Sequence, residues 1–159
     1  MKLASLANRT LLQWLDEQTP EPPRTYRAQR RVAMDALRCH PDLCERIHEL
    51  GGELPGTVGR YVEGFPVLIH PNGMVFAIGA GTSWLALVLP ARTHAAVVRS
   101  RWGNRGLGDE WVDVDPWMTD DPAYEGLRRL RGWTRAAFAR ATEVGGPDPS
   151  TRRRPRGDR

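Results

Sequence analysis

The sequence predicts an α+β fold in which an antiparallel β-meander packs against helices within a single domain. Three observations carry this. Between residues 57 and 89, short alternating apolar runs are separated by glycine-containing turns, the spacing of hairpin-linked strands. Before that stretch, and again near the end of the chain, apolar residues recur at intervals of three and four, the period of a helix with one buried face. At 159 residues, with 40% hydrophobic and 26% charged residues, the chain matches one globular domain that buries its own core.

The first element is an amphipathic helix over residues 3–17, where Leu3, Leu6, Ala7, Leu11, Trp14 and Leu15 form one stripe. Pro20, Pro22 and Pro23 stop it, because proline has no N–H and its ring clashes with the preceding turn. A second helix is expected over residues 25–39. It buries Tyr26, Val32, Ala33, Ala36 and Leu37 and leaves Arg24, Arg27, Arg31 and Arg38 on the opposite face. Pro41 suits the first turn of a third helix, which buries Leu43, Ile47 and Leu50 and ends at Gly51 and Gly52. Residues 1–52 thus read as a helical N-terminal part, and residues 53–144 as a sheet-plus-helix core.

Strands are expected over 57–63 and 65–70 around Gly64, and over 74–78 and 83–89 across a break at Gly79-Ala80-Gly81. Pro71-Asn72-Gly73 marks the turn between the second and third, since Asn and Gly tolerate positive φ. Pro90 opens a helix over 91–102 with Ala91, Ala95, Val98 and Trp102 buried, and a strand follows over 110–114. The last helix starts near Asp121-Pro122. It buries Leu127, Leu130, Trp133, Ala137, Phe138 and Ala141 and leaves Arg128, Arg129, Arg131 and Arg135 outside.

The hairpin from Phe65-Pro66-Val67 to Met74-Val75-Phe76-Ala77, the strand Leu85-Ala86-Leu87-Val88-Leu89, and Trp111-Val112-Asp113-Val114 ahead of the last helix carry a resemblance. Over about residues 58–143 the chain resembles the MmcQ/YjbR-like family and the related TfoX N-terminal domain. The resemblance implies the fold, and the family's DNA-binding label implies a nucleic-acid partner; it carries over no functional residue. The chain departs from the family in lacking a lysine on the strand after the hairpin and in its long helical N-terminal third.

Net charge is +4, but residues 145–159 hold five arginines against two aspartates, so the body is left with about +1. That basic tail, rich in proline and glycine, is expected to be disordered. Asn8, Arg9, Thr10 and Gln13 interrupt any leader-like apolar run, and no stretch reaches the length of a membrane span. Two cysteines suggest a reducing compartment, so a cytoplasmic location without membrane attachment is expected.

Four groups of residues could carry chemistry or binding. Cys39, His40, Cys44 and His48 lie within ten residues, and Cys44 and His48 share a helix face, so a zinc site is conceivable. The plainer reading is a helix boundary with buried free cysteines and His48 on the wet face, and no metal or cofactor is expected. Asp113 and Asp115 alternate onto one strand face, spaced for paired acid–base work, or else form a solvated face. With Trp84 and Trp111, and more loosely Trp102 and Trp117, they outline a possible ligand pocket. Gly79-Ala80-Gly81-Thr82-Ser83 has the look of a phosphate loop but lacks its lysine and its helix, so it reads as a turn. His70, at a turn edge, reads as a surface residue.

The fourth group is basic. Arg24, Arg27, Arg31 and Arg38 form one stripe, Arg128, Arg131 and Arg135 another, and Arg152, Arg153 and Arg154 extend them into the tail. They could follow a phosphate backbone, or they are simply the solvent faces of amphipathic helices. The expected function is a non-enzymatic binding or interaction protein, its partner a protein or nucleic acid. The alternative is a small-molecule-binding protein or small enzyme built on Trp84, Trp111, Asp113 and Asp115.

Overall fold

Glycines at positive φ and prolines without an N–H decide where this chain reverses, and the reversals lay out the sheet. The computed structural model describes residues 6–18, 38–97, 107–117 and 125–145. Five strands, β1 (Val58–Val62), β2 (Phe65–Ile69), β3 (Val75–Ala80), β4 (Trp84–Val88) and β5 (Trp111–Val114), pair in sequence order, every pair antiparallel. The described helices are α1 (Arg9–Gln18), entered through a 3₁₀ turn at Leu6–Asn8, α2 (Pro41–Gly52), α3 (Ala91–Val97) and α4 (Glu125–Gly145). The α+β meander expected from the sequence is present. None of the described helices is long and apolar enough to cross a membrane.

Glu63 (φ 50°) and Gly64 (φ 82°) are both left-handed, the pairing that a tight two-residue hairpin needs between Val62 and Phe65. At Pro71-Asn72-Gly73 the chain turns with Gly73 at φ 90°, and His70 N–H bonds Met74 O at 2.8 Å. The third reversal differs from expectation. β3 runs through Gly79 and Ala80, which pair with Leu85 and Trp84, so the turn shrinks to Gly81, Thr82 and Ser83. Gly79 is glycine for packing, because a Cβ there would run into Ile47 of α2. Pro66 is tolerated in an inner strand because the β2–β3 ladder begins only at Val67, beyond its missing N–H.

Both faces of the sheet are covered. Gly51 on α2 lies against Leu68, whereas Trp14 on α1 stacks 5.3 Å from Phe65 and 5.5 Å from Trp84. Leu68 and Phe65 are three apart on β2 and so point to opposite faces. α4 joins α2, with Phe138 against Phe76 and His70 and with Arg131 and Arg135 paired to Glu53. Double coverage explains why β2, β4 and β5 are buried at every residue rather than alternating. Between Leu68–Ala77 and Ile69–Val75 the register slips, leaving Phe76 as the extra residue.

Several element boundaries and faces need correction. The second expected helix lies mostly outside the described residues, but its end does not: Cys39 forms a parallel bridge to Gly81, and Arg38 N–H bonds Gly64 O. These two residues cross the end of the sheet instead of closing a helix. α2 starts at Pro41, with His40 Nδ1 accepting from Asp42 N–H, yet it ends on Glu53 in right-handed conformation, not on a left-handed glycine. Ala91 is exposed and Val97 is buried in α3, while the side chain of Ala95 lies outside those described. On α4, Thr134 is buried by its bond to Leu130 O, while Leu127, Trp133 and Phe138 are only half-buried. Residues 98–106, 118–124 and the tail from 146 lie outside the described residues.

Candidate functional site

Cys39 and Cys44 occupy the residue before the N-cap His40 and the fourth helical residue of α2, the two positions of a hydrophobic staple. Both are free thiols, 5% and 4% exposed, and Cys44 Sγ donates weakly to Cys39 O at 3.9 Å. His40 is spent on the cap and is exposed. His48 lies two turns along, edge-on to the Tyr61 ring at 5.5 Å, and packs over Gly59. Among the described residues no three His, Cys, Asp or Glu side chains converge on a point where a metal ion would sit. His48 is half-buried under Tyr61 and not on a wet face.

Burial lifts the Cys39 thiol well above its usual value, with the neighbouring Cys44 adding to the shift. Tyr61 is raised for the same reasons, its hydroxyl beside the Cys44 thiol although the ring is 49% exposed. Both are acids held protonated by the fold. Stability is therefore fully present below the unfolded thiol's pKa of 9.0 and is lost above it, as the unfolded chain releases protons that the folded chain keeps. Urea midpoints are expected to be flat from pH 7 to 8.5 and then to fall. The slope from Cys39 approaches about 1.4 kcal/mol per pH unit and is reduced in Cys39→Ala. An unchanged midpoint at pH 10 would refute the burial of the Cys39 thiol.

His70 is not a surface residue. It is 4% exposed, and its Nδ1 accepts from Asn72 N–H at 3.1 Å, which leaves Nε2 as the N–H facing Thr142 Oγ1 at 2.9 Å. Asn72 also donates to Ala141 O, so the β2–β3 turn is clasped to the end of α4. Asp113 is not part of a solvated face either: it is 3% exposed within β5. Asp115, just past the strand, accepts from Trp117 N–H at 2.8 Å as a local turn.

The tryptophans are not gathered. Trp84 lies opposite Ala80 at the start of β4 and Trp111 opposite Val88 at its end, about 13 Å apart by strand rise. Trp111 borders a cleft of about 30 Å³ with Thr10, Met74 and Leu107, room for a water or two. Trp117 donates its indole N–H to Thr82 O and lies under Arg46. Trp102 lies outside the described residues. So do Arg24, Arg27, Arg31, Arg152, Arg153 and Arg154.

Of the basic positions described, Arg38 caps Gln18 O and lies over the Phe65 ring, so it is structural. Arg131 pairs with Glu53 at 2.6 Å and is half-buried, against expectation, while Arg135 joins the same carboxylate at 3.4 Å. Arg128 and Arg129 are exposed. β1 is expected from the sequence as a strand but not as a site, and its Gly59, Arg60 and Tyr61 are exposed at the edge of the sheet. The signal available was a strand with a central charge and a glycine, unlike the apolar runs after it.

Fold and site together define an α+β protein with a helix-covered antiparallel meander whose edge strand β1 is exposed among the described residues. No protein-family model, no curated protein and no solved structure matches this chain.

Proposed function

We infer that this chain is a non-enzymatic interaction protein whose partner is another protein, in keeping with its resemblance to MmcQ/YjbR-like proteins. The observation that carries the reading is the exposed edge strand β1 with Tyr61 beside it. The groups best suited to chemistry have structural employment: the thiols staple α2, and His70 and Asn72 hold α4. A photo-crosslinking residue at position 61 tests it in cells, with one at the exposed Ala139 as control. The expected result is a protein adduct from 61 and none from 139; a chain that gives no protein adduct from 61 overturns it.

A second reading has its own support in Arg128, Arg129 and Arg135, exposed along α4. Three phosphate contacts give a log–log salt slope of roughly −2.7 on duplex DNA. Arg128→Glu with Arg129→Glu should cut that slope to about −1. A duplex affinity indifferent to salt, or to both changes, removes nucleic acid as the partner.

A further inference from the structure

Hairpin geometry fixes which backbone groups of β1 face β2 and which face away. The turn through Glu63 and Gly64 makes Val62 and Phe65 the hydrogen-bonded pair that closes it. Antiparallel pairing then alternates, so Arg60–Val67 and Val58–Ile69 are hydrogen-bonded pairs as well. Gly59 and Tyr61 therefore turn their N–H and C=O groups outward. Among the described residues no strand lies beyond β1 and no backbone group bonds to those groups.

The two edges of the sheet are treated differently. β5 is buried at all four residues and has α3 against it. β1 carries no proline and pairs with β2 without a bulge, two of the devices that blunt an edge, and its one charge is the central Arg60. It is also held in place from behind. The His48 ring sits so close over Gly59 that an added Cβ would come within 2.7 Å of its Cδ2, and it meets Tyr61 edge-on. An incoming strand thus meets a preformed template and little ordering cost.

We propose that β1 takes up an extended segment of a partner protein as a sixth, antiparallel strand, with an acidic side chain opposite Arg60. The proposal rests on the interaction-protein reading and names the partner's chemistry. Gly59 and Tyr61 make the hydrogen-bonded pairs of the new ladder, so Arg60 falls on the non-hydrogen-bonded pair between them. There Cα atoms approach to about 4.5 Å and side chains meet directly. A second copy of the chain centred on the same residue would set Arg60 against Arg60, a like-charge pair that disfavours self-association. On the other face, the residue opposite Gly59 finds no side chain and can lie toward His48 and Tyr61, which suits an apolar neighbour of the acid.

The test uses the full ¹⁵N-labelled chain and an eight-residue threonine–valine alternating peptide with one central glutamate. The expected result is a Kd below about 1 mM, with slowed hydrogen exchange at the Gly59 and Tyr61 amides. A central lysine should weaken binding by about tenfold or more, and Arg60→Glu should reverse that preference. N-methylating the peptide amides that face β1 should abolish binding without touching the protein's fold. Equal affinity for both peptides, protection confined to other strands, or no binding at about 1 mM overturns the proposal. So does concentration-dependent protection of Gly59 and Tyr61 in the free chain, which would assign the edge to a second copy. If position 61 still crosslinks to a protein when the peptide fails, the interaction reading stands and this proposal alone falls.

Discussion

Asn8→Ala is expected to lower stability by about 2–6 kcal/mol, seen as a fall in the urea midpoint at unchanged m-value. Asn8 is 1% exposed, and its side chain does two jobs for the β2–β3 hairpin. Nδ2 donates to Gly73 O at 2.9 Å, and Oδ1 accepts from Val75 N–H at 2.8 Å. Truncation leaves one buried carbonyl and one buried N–H without their partner, each costing about 1–3 kcal/mol. It also detaches the lead into α1, the helix that brings Trp14 onto Phe65 and Trp84. Asn8→Asp separates the two roles: it keeps the acceptor, loses the donor and buries a charge, so it should cost at least as much. A loss under about 1 kcal/mol for Asn8→Ala would mean that water takes over both bonds.

Gly79→Ala is the second large effect, at about 1–3 kcal/mol, and its partner is identifiable. The added methyl enters the space of Ile47 Cδ1 and comes within 3.3 Å of Trp84 O and 3.5 Å of Pro66 Cγ. Ile47 is fully buried, so its end has nowhere to swing. Ile47→Val alone costs about 0.5–1.5 kcal/mol through a small cavity. In the double variant the new methyl fills that cavity, so the combined loss should fall short of the sum by about 1 kcal/mol or more. Strict additivity would show that α2 moves away as a body and that the contact does not set its distance from the sheet.

Much of the architecture was legible because it is written in local signals. Pro41, Gly64, Gly73 and Pro90 each constrain one or two backbone dihedrals, and those constraints hold wherever the rest of the chain lies. The strands and α2 fell within a residue or two of expectation for that reason, whereas α1 begins only at Arg9, after a 3₁₀ turn, and α4 is described from Glu125. Gly79 misled because glycine signals both turns and close packing, and only the arrival of α2 separates them. His70 and Asp113 misled because polarity argues for the surface until a partner is brought in. For His70 that partner is Thr142, seventy-two residues away. The candidate site was less legible still: Trp84 and Trp111 look alike in sequence, yet the register sets them at opposite ends of β4.

The sequence by itself determined a meander of five short strands with helices before, within and after it, since hydrophobic period and turn chemistry act over a few residues. Only the tertiary structure decided which faces α1, α2 and α4 cover, which polar side chains are interior, and that β1 lies at the edge of the sheet with its central residues exposed. Those outcomes depend on contacts between residues far apart in the chain. Burial and strand order belong to the assembled layers, and no local stretch encodes them.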